Sequence, residues 1–213
     1  MRSRIVRGAG IAAAVVLGAA GCSSGPGDTG SDRSAGSSAA GQGFWGAHGA
    51  DGTSEANPPA SIEALAQRAD IVVLGTVTGV GEGKDYSDAG KAPNRTSNLV
   101  LRVDRSSGAT LTSALVEVTR APVTTLKDIA GDMPKGQYVF YLKRWYEGPD
   151  GPVYRCASPA KCVVGVNEGA LETPRDPEAA NELQSSSKGL PQSSGSSRSL
   201  NVEDLFTAST NAK

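Results

Sequence analysis

The sequence predicts a mainly β domain: a five-stranded barrel with one short helix between strands three and four, flanked by disordered tails. Three observations lead there. Between residues 58 and 172 apolar side chains come in short runs or alternate with polar ones, separated by Gly, Ser, Asn and Asp clusters, the pattern of strands packed on a common core. Only residues 61–69 and 124–131 of that region carry helical spacing. Outside it, residues 23–57 and 173–199 are rich in Gly, Ser, Ala and Pro, and such segments bury too little apolar surface to offset chain entropy.

Each element has a local reason. Ser61 is an N-cap ahead of Ile62, Leu65 and Ala66, which share a side, with Ala64 where a capping-box acid would stand. Residues 71–80 (IVVLGTVTGV) are β-branched and apolar on both faces at their start, as a central strand requires. Gly75 and Gly79 lie on the face of Val73 and Val77, which predicts bends or a close backbone approach. After a polar connection over residues 81–96, Leu99, Leu101 and Val103 alternate with Val100, Arg102 and Asp104. A third strand follows at residues 115–119, with Val116 and Val118 inward and Glu117 outward.

Thr125 and Asp128 are spaced as a capping box, Leu126 and Ile129 share a helix face, and Gly131 ends that helix. Residues 136–145 form strand four, with Tyr138, Phe140 and Leu142 on one face and Val139, Tyr141, Lys143 and Trp145 on the other. Residues 153–156 and 162–166 supply a fifth strand or a hairpin. With few aromatic residues, the whole is expected to hold one small core.

The first residues address the chain. Arg2, Arg4 and Arg7 precede a charge-free apolar run over residues 9–20, the layout of an export signal. That run falls short of the roughly 20 residues needed to span a bilayer. Ala19-Ala20-Gly21-Cys22 resembles the lipobox of bacterial lipoproteins, with Ala19 where a Leu is usual. The resemblance implies cleavage after residue 21 and acylation of Cys22 with diacylglycerol and palmitate-like chains. It further implies a cell-membrane protein, lipid-anchored on the extracytoplasmic face. The alternative is an ordinary secretory signal that leaves a free Cys.

This divides the chain into a signal peptide at 1–21, a lipidated terminus and flexible tether at 22–57, a domain at 58–172, and a low-complexity tail at 173–213 with a short helix near 201–208. The tether is expected to reach on the order of 30 to 35 Å. Phe44-Trp45 is its only apolar punctuation, read as a chance pair rather than a membrane-touching or docking pair. In the tail, Asn201 is an N-cap and Leu200, Leu205 and Phe206 form an apolar side, for a helix that either folds back or docks a partner. Without the signal's three Arg, 18 Lys and Arg face 22 Asp and Glu, a net charge of −4. That balance argues against nucleic acid as partner.

The element order resembles the OB-fold, a partly open five-stranded barrel with its helix between strands three and four. Ala69-Asp70 before a Val-rich strand, with Gly136 opening the aromatic strand of residues 137–142, also resembles netrin- and TIMP-like modules. The protease inhibition of the TIMP family is not implied, since it uses a free N-terminal Cys packed on the barrel and Cys22 is distant and acylated.

Cys156 and Cys162 then form an even pair in an oxidising compartment, with five residues between them, which predicts a disulfide. The spacing is not that of a redox Cys-x-x-Cys pair, and no His lies near enough to suggest a metal site. The single His, His48, belongs to the tether, which leaves the domain without a triad base. Asp70, Asp104, Glu117, Asp128, Asp132, Glu147 and Glu168 are the carboxylates from which a small envelope hydrolase would have to draw, and most are expected to be solvated. Residues 79–84 (GVGEGK) lead into a loop rather than a helix, unlike a phosphate-binding loop.

The sequence thus points to no cofactor, no metal and no catalytic residue. It points to a binding or interaction module for an envelope protein or glycan; a carboxylate hydrolase and a purely structural domain are the alternatives. The candidate binding face is the aromatic–basic–aromatic stripe Tyr141, Lys143 and Trp145, flanked by the 81–96 loop. The competing reading is that the aromatics cover the helix or barrel end, with Lys143 reaching past them.

Overall fold

A computed structural model describes residues 43–45, 48, 55–91, 93–108, 110–190 and 199–213, all within one compact unit. Cys22 and the residues read as an export signal lie outside the described residues. Among the described residues no helix is long and apolar enough to cross a membrane.

The domain is mainly β. Helix α1 (Ile62–Arg68) leads into β1 (Ile71–Asp85), β2 (Arg95–Ser106) and β3 (Ser113–Thr119). Helix α2 (Leu126–Gly131) precedes β4 (Tyr138–Gly148), β5 (Gly151–Cys156), β6 (Val163–Asn167) and β7 (Ala170–Glu172). Helices α3 (Ala179–Ser186) and α4 (Val202–Asn211) finish the chain. The sheet order is β1-β2-β3-β5-β4-β6-β7, and a further pairing of β1 with β4 closes five of the seven strands into a ring. β3 and β5 meet in parallel, while the other pairs are antiparallel.

β1 helps close the ring because it bends. Its register with β2 shifts between Leu74 and Gly75 and again between Val77 and Gly79. A Cβ on Gly75 would run into the Arg102 carbonyl, so the close approach anticipated at this glycine is real. The strand also runs five residues further than its apolar start, because the ladder continues through Asp85 opposite Arg95. Part of the supposed 81–96 loop is therefore hairpin.

The fifth strand is interrupted rather than folded into a hairpin. Cys156 pairs with Leu142, and Val163 pairs with Phe140, along the same edge of β4. Only Tyr141 lies between those two β4 positions, so residues 157–161 leave the ladder and return to it. Tyr141 holds both ends of the excursion, donating its N–H to the Cys162 carbonyl at 2.9 Å and accepting from the Ala157 N–H at 2.9 Å. The Cys156–Cys162 disulfide closes the loop, with Cα atoms 5.3 Å apart.

One core was expected and two apolar clusters form. Inside the ring, Val73, Leu99, Leu101, Val116, Ile129, Phe140 and Leu142 pack together. On the outer side, Val72, Leu74, Val139, Tyr141 and Val164 are covered by Ile62, Leu65, Leu183, Leu205 and Phe206 from the helices. A strand apolar on both faces needs both coverings.

The polar tails contribute to each cluster; Phe44, Trp45 and α3 do so against expectation, while the last helix takes one of the two courses anticipated for it. Phe44 and Trp45, read as chance residues of a tether, are each 1% exposed and belong to the inner cluster. Trp45 packs edge-on against the ring of Phe140, with centroids 6.3 Å apart. At the other end, α3 arises within the supposed low-complexity tail and buries Leu183 completely. α4 runs three residues beyond the expected 201–208 and folds back on the sheet.

Local capping follows the sequence. Ser61 accepts from the Ala64 N–H at 3.2 Å, and both halves of the Thr125–Asp128 capping box are formed. Asn201 accepts from the Asp204 N–H at 2.9 Å.

Candidate functional site

The expected stripe of Tyr141, Lys143 and Trp145 does not hold together. Tyr141 is 0% exposed, covered by α4, and its hydroxyl meets Ser209 Oγ at 2.6 Å. It is removed from any binding face because the C-terminal segment folds back over it. Lys143 and Trp145 lie beyond the helical cover. At Trp145 the β4–β5 register shifts between Arg144 and Tyr146, and such a bulge re-aims the extra side chain. Trp145 is 44% exposed.

These two residues line a cleft of about 440 Å³ with Tyr86, Thr96, Glu117, Arg155 and Arg175. Tyr86 reaches it because the β1–β2 hairpin extends so far: its N–H donates to the Asn94 carbonyl at 2.8 Å, just past the last strand pair. Trp145 Nε1–H then donates to the Tyr86 hydroxyl at 3.1 Å, which donates in turn to Glu117 Oε1 at 3.2 Å. Arg155 stacks over the Trp145 ring, 3.9 Å from guanidinium carbon to centroid.

Glu117 is the polar hub. Besides Tyr86, Glu117 Oε2 accepts from Tyr146 Oη at 3.1 Å and lies 3.1 Å from Thr96 Oγ1. Lys84 Nζ sits over the rings of Tyr86 and Tyr146, 4.9 and 5.4 Å from their centroids. Burial pushes the Tyr86 phenol above its ordinary range; the Trp145 bond opposes this and Glu117 adds to it. Tyr146 is raised in the same way, by burial first and then by Glu117. Sequence reasoning placed Glu117 among solvated outward carboxylates. The β2–β3 register, with Thr96 opposite Thr119 and Asn98 opposite Glu117, gathers this polar group on the outer face.

The far wall is the disulfide loop. Arg175 Nη1 lies 2.7 Å from Cys156 Sγ and 3.6 Å from Cys162 Sγ, and Pro159 completes the lining. The loop is fastened from behind. Ser158 Oγ–H donates to Glu55 Oε2 at 2.6 Å, while Lys161 Nζ reaches Glu182 Oε2 at 2.6 Å and the Pro59 carbonyl at 3.1 Å.

The other carboxylates considered for acid–base work lie apart from one another. Asp70 Oδ2 accepts the Arg144 N–H at 2.9 Å, Asp104 accepts from Gln137 at 2.8 Å, and Asp128 serves the capping box. Asp132 C-caps α2 and lies 3.8 Å from His48 Nε2, so the only His packs against the domain rather than in a tether. Glu147 pairs with Arg144 at 2.6 Å, and Glu168 occupies a turn at φ 50°. Among the described residues, no group of three or more His, Cys, Asp or Glu side chains is arranged to hold a metal ion.

Compared with family models, with curated proteins and with solved structures, the chain matches none.

Proposed function

We propose that this chain is a lipid-anchored extracytoplasmic protein whose domain, an OB-like barrel, binds a partner at the cell envelope and catalyses no reaction. The observation that carries the reading is the convergence of Tyr86, Lys143, Trp145 and Arg155 on one concave surface. A cleft of a few hundred Å³ with an aromatic edge and a few directed polar groups is the ordinary form of a ligand site. The partner is an envelope protein, glycan or peptide rather than nucleic acid, in keeping with the net charge of −4 after Cys22 becomes the first residue.

The ring order β1-β2-β3-β5-β4, with α2 between β3 and β4, supports the OB-like assignment. OB-folds bind through the face of strands two and three and the flanking loops, and Tyr86, Thr96 and Glu117 come from that region. Asp70, Asp104, Asp128 and Glu147 each hold a structural partner of their own, which supports binding without catalysis. The basic start, the short apolar run and Ala19-Ala20-Gly21-Cys22 support the anchor, and two acyl chains hold a protein stably where one does not.

Two measurements test this. Replacing Cys22→Ala is expected to move the protein from the membrane fraction to the medium, and continued membrane retention would overturn the anchor. Crosslinking in intact cells is expected to capture an envelope partner, and to lose it with Trp145→Ala; equal capture by that variant would overturn the cleft as the binding site.

A further inference from the structure

Lys143 and Arg155 face each other directly across the β4–β5 ladder. Like charges opposite one another on antiparallel strands are destabilising. Among the described residues neither side chain forms an ion pair with a carboxylate. Among the described residues the acid in the lining of this cleft is Glu117, whose oxygens already receive hydroxyls from Tyr86 and Tyr146. A chain that is acidic as a whole therefore concentrates positive charge here, at the expense of its own stability.

We propose that this cleft binds an anionic saccharide. Stacking on Trp145 fixes the plane of the Arg155 guanidinium, and a guanidinium held in plane offers paired N–H groups to a carboxylate or phosphate. Lys143, opposite it, supplies a second charge to the same acid group. The exposed part of the Trp145 indole and the Tyr86 ring give a sugar ring its apolar surface, while Thr119, also in the lining, offers a partner for its hydroxyls. The acid relieves the Lys143–Arg155 repulsion, so binding is coupled to stability. This rests on the cleft being the binding site of the proposed envelope module, and names its ligand class.

The test uses the soluble Cys22→Ala protein and isothermal titration with four probes: trigalacturonate, a glycerol-phosphate oligomer, neutral cellotriose and an oligothymidylate. One of the two acidic oligomers is expected to bind about tenfold or more tightly than cellotriose, weakening as salt is added; which of the two binds distinguishes carboxylate from phosphate. The variants Lys143→Gln and Arg155→Gln should each weaken that probe by about tenfold. Lys143→Gln should also raise the melting temperature of the free protein, a gain that a residue holding the fold together would not give. Equal affinity for acidic and neutral probes, tighter binding of the oligothymidylate, no binding of any probe, or a lowered melting temperature in Lys143→Gln would each overturn the proposal. Crosslinked capture that still depends on Trp145 would leave the binding module standing after such a failure.

Discussion

The indole of Trp45 meets the ring of Tyr138 edge-on, with centroids 6.3 Å apart. One ring comes from a Gly- and Ser-rich stretch and the other from the fourth strand. Edge-to-face aromatic pairs add about 0.5–1.5 kcal/mol beyond their buried area, so a segment of tether-like composition is part of the folding unit.

Trp45→Ala should therefore behave as a core truncation. Its side chain is 1% exposed within the inner cluster, and removing a buried aromatic costs about 3–5 kcal/mol. Urea unfolding should show the loss, and a midpoint equal to that of the parent protein would refute the docking of this segment.

The Tyr141–Ser209 contact is a buried bond between the fourth strand and the last helix, at 2.6 Å. Tyr141→Phe leaves Ser209 its bond to the Leu205 carbonyl at 2.7 Å and should cost about 1 kcal/mol. A double-mutant cycle with Ser209→Ala should give a coupling of about 0.5 kcal/mol or more. Additive effects would mean that α4 does not bond to the sheet in solution.

Alkaline pH should destabilise the protein. Burial raises the phenols of Tyr86, Tyr138, Tyr141 and Tyr146 in the folded state. The folded protein thus holds protons that the unfolded chain releases above about pH 10. That contribution is complete below the unfolded value and is lost as pH climbs through the folded ones. Lys213, lowered by burial, works in the opposite direction at a single site. Glu117→Gln should bring the Tyr86 and Tyr146 titrations, followed by phenolate absorbance, closer to the ordinary range. A stability that stays level between about pH 9 and 11 would contradict this.

Loss of the disulfide should weaken the fold without dissolving it. Closing so short a loop contributes about 2 kcal/mol in the chain-entropy description. The loop keeps the Ser158–Glu55 and Lys161–Glu182 contacts when Cys156 and Cys162 are both changed to Ser. A cooperative transition at a lower urea midpoint is expected, and an unfolded variant would assign the disulfide a larger role.

β2 and β3 were legible because each carries its own periodicity, whereas the three-residue β7 was too short to carry one. Leu99, Leu101 and Val103 turn inward as their alternation requires, and so do Val116 and Val118. Thr125 and Asp128 likewise announce their cap. What composition hid was burial by sparse residues. Leu183, Leu205 and Phe206 are few within a polar tail, yet each fills a place on a sheet face that β1 and β4 leave apolar. The double-sided apolar start of β1 already demanded such a cover, and it did not say which segment supplies it. The cleft was half legible. Alternation linked Lys143 with Trp145, but the bulge after Arg144 and the folding-back of α4 over Tyr141 are tertiary events with no local signature. Tyr86 and Glu117 joined through pairing register, which a single strand does not reveal.

The interrupted fifth strand has a consequence for how this protein can change over time. Its chain leaves the ladder at Cys156 and re-enters it six positions later, with the two Cα atoms 5.3 Å apart. The sheet is therefore nearly indifferent to the length of what lies between, because lengthening a loop whose ends already meet adds only about 0.6 kcal/mol per doubling. Residues 157–161 thus mark a place beside the cleft where inserted sequence should disturb the ring of strands little, a tolerance that the paired positions of β4 and β5 do not share.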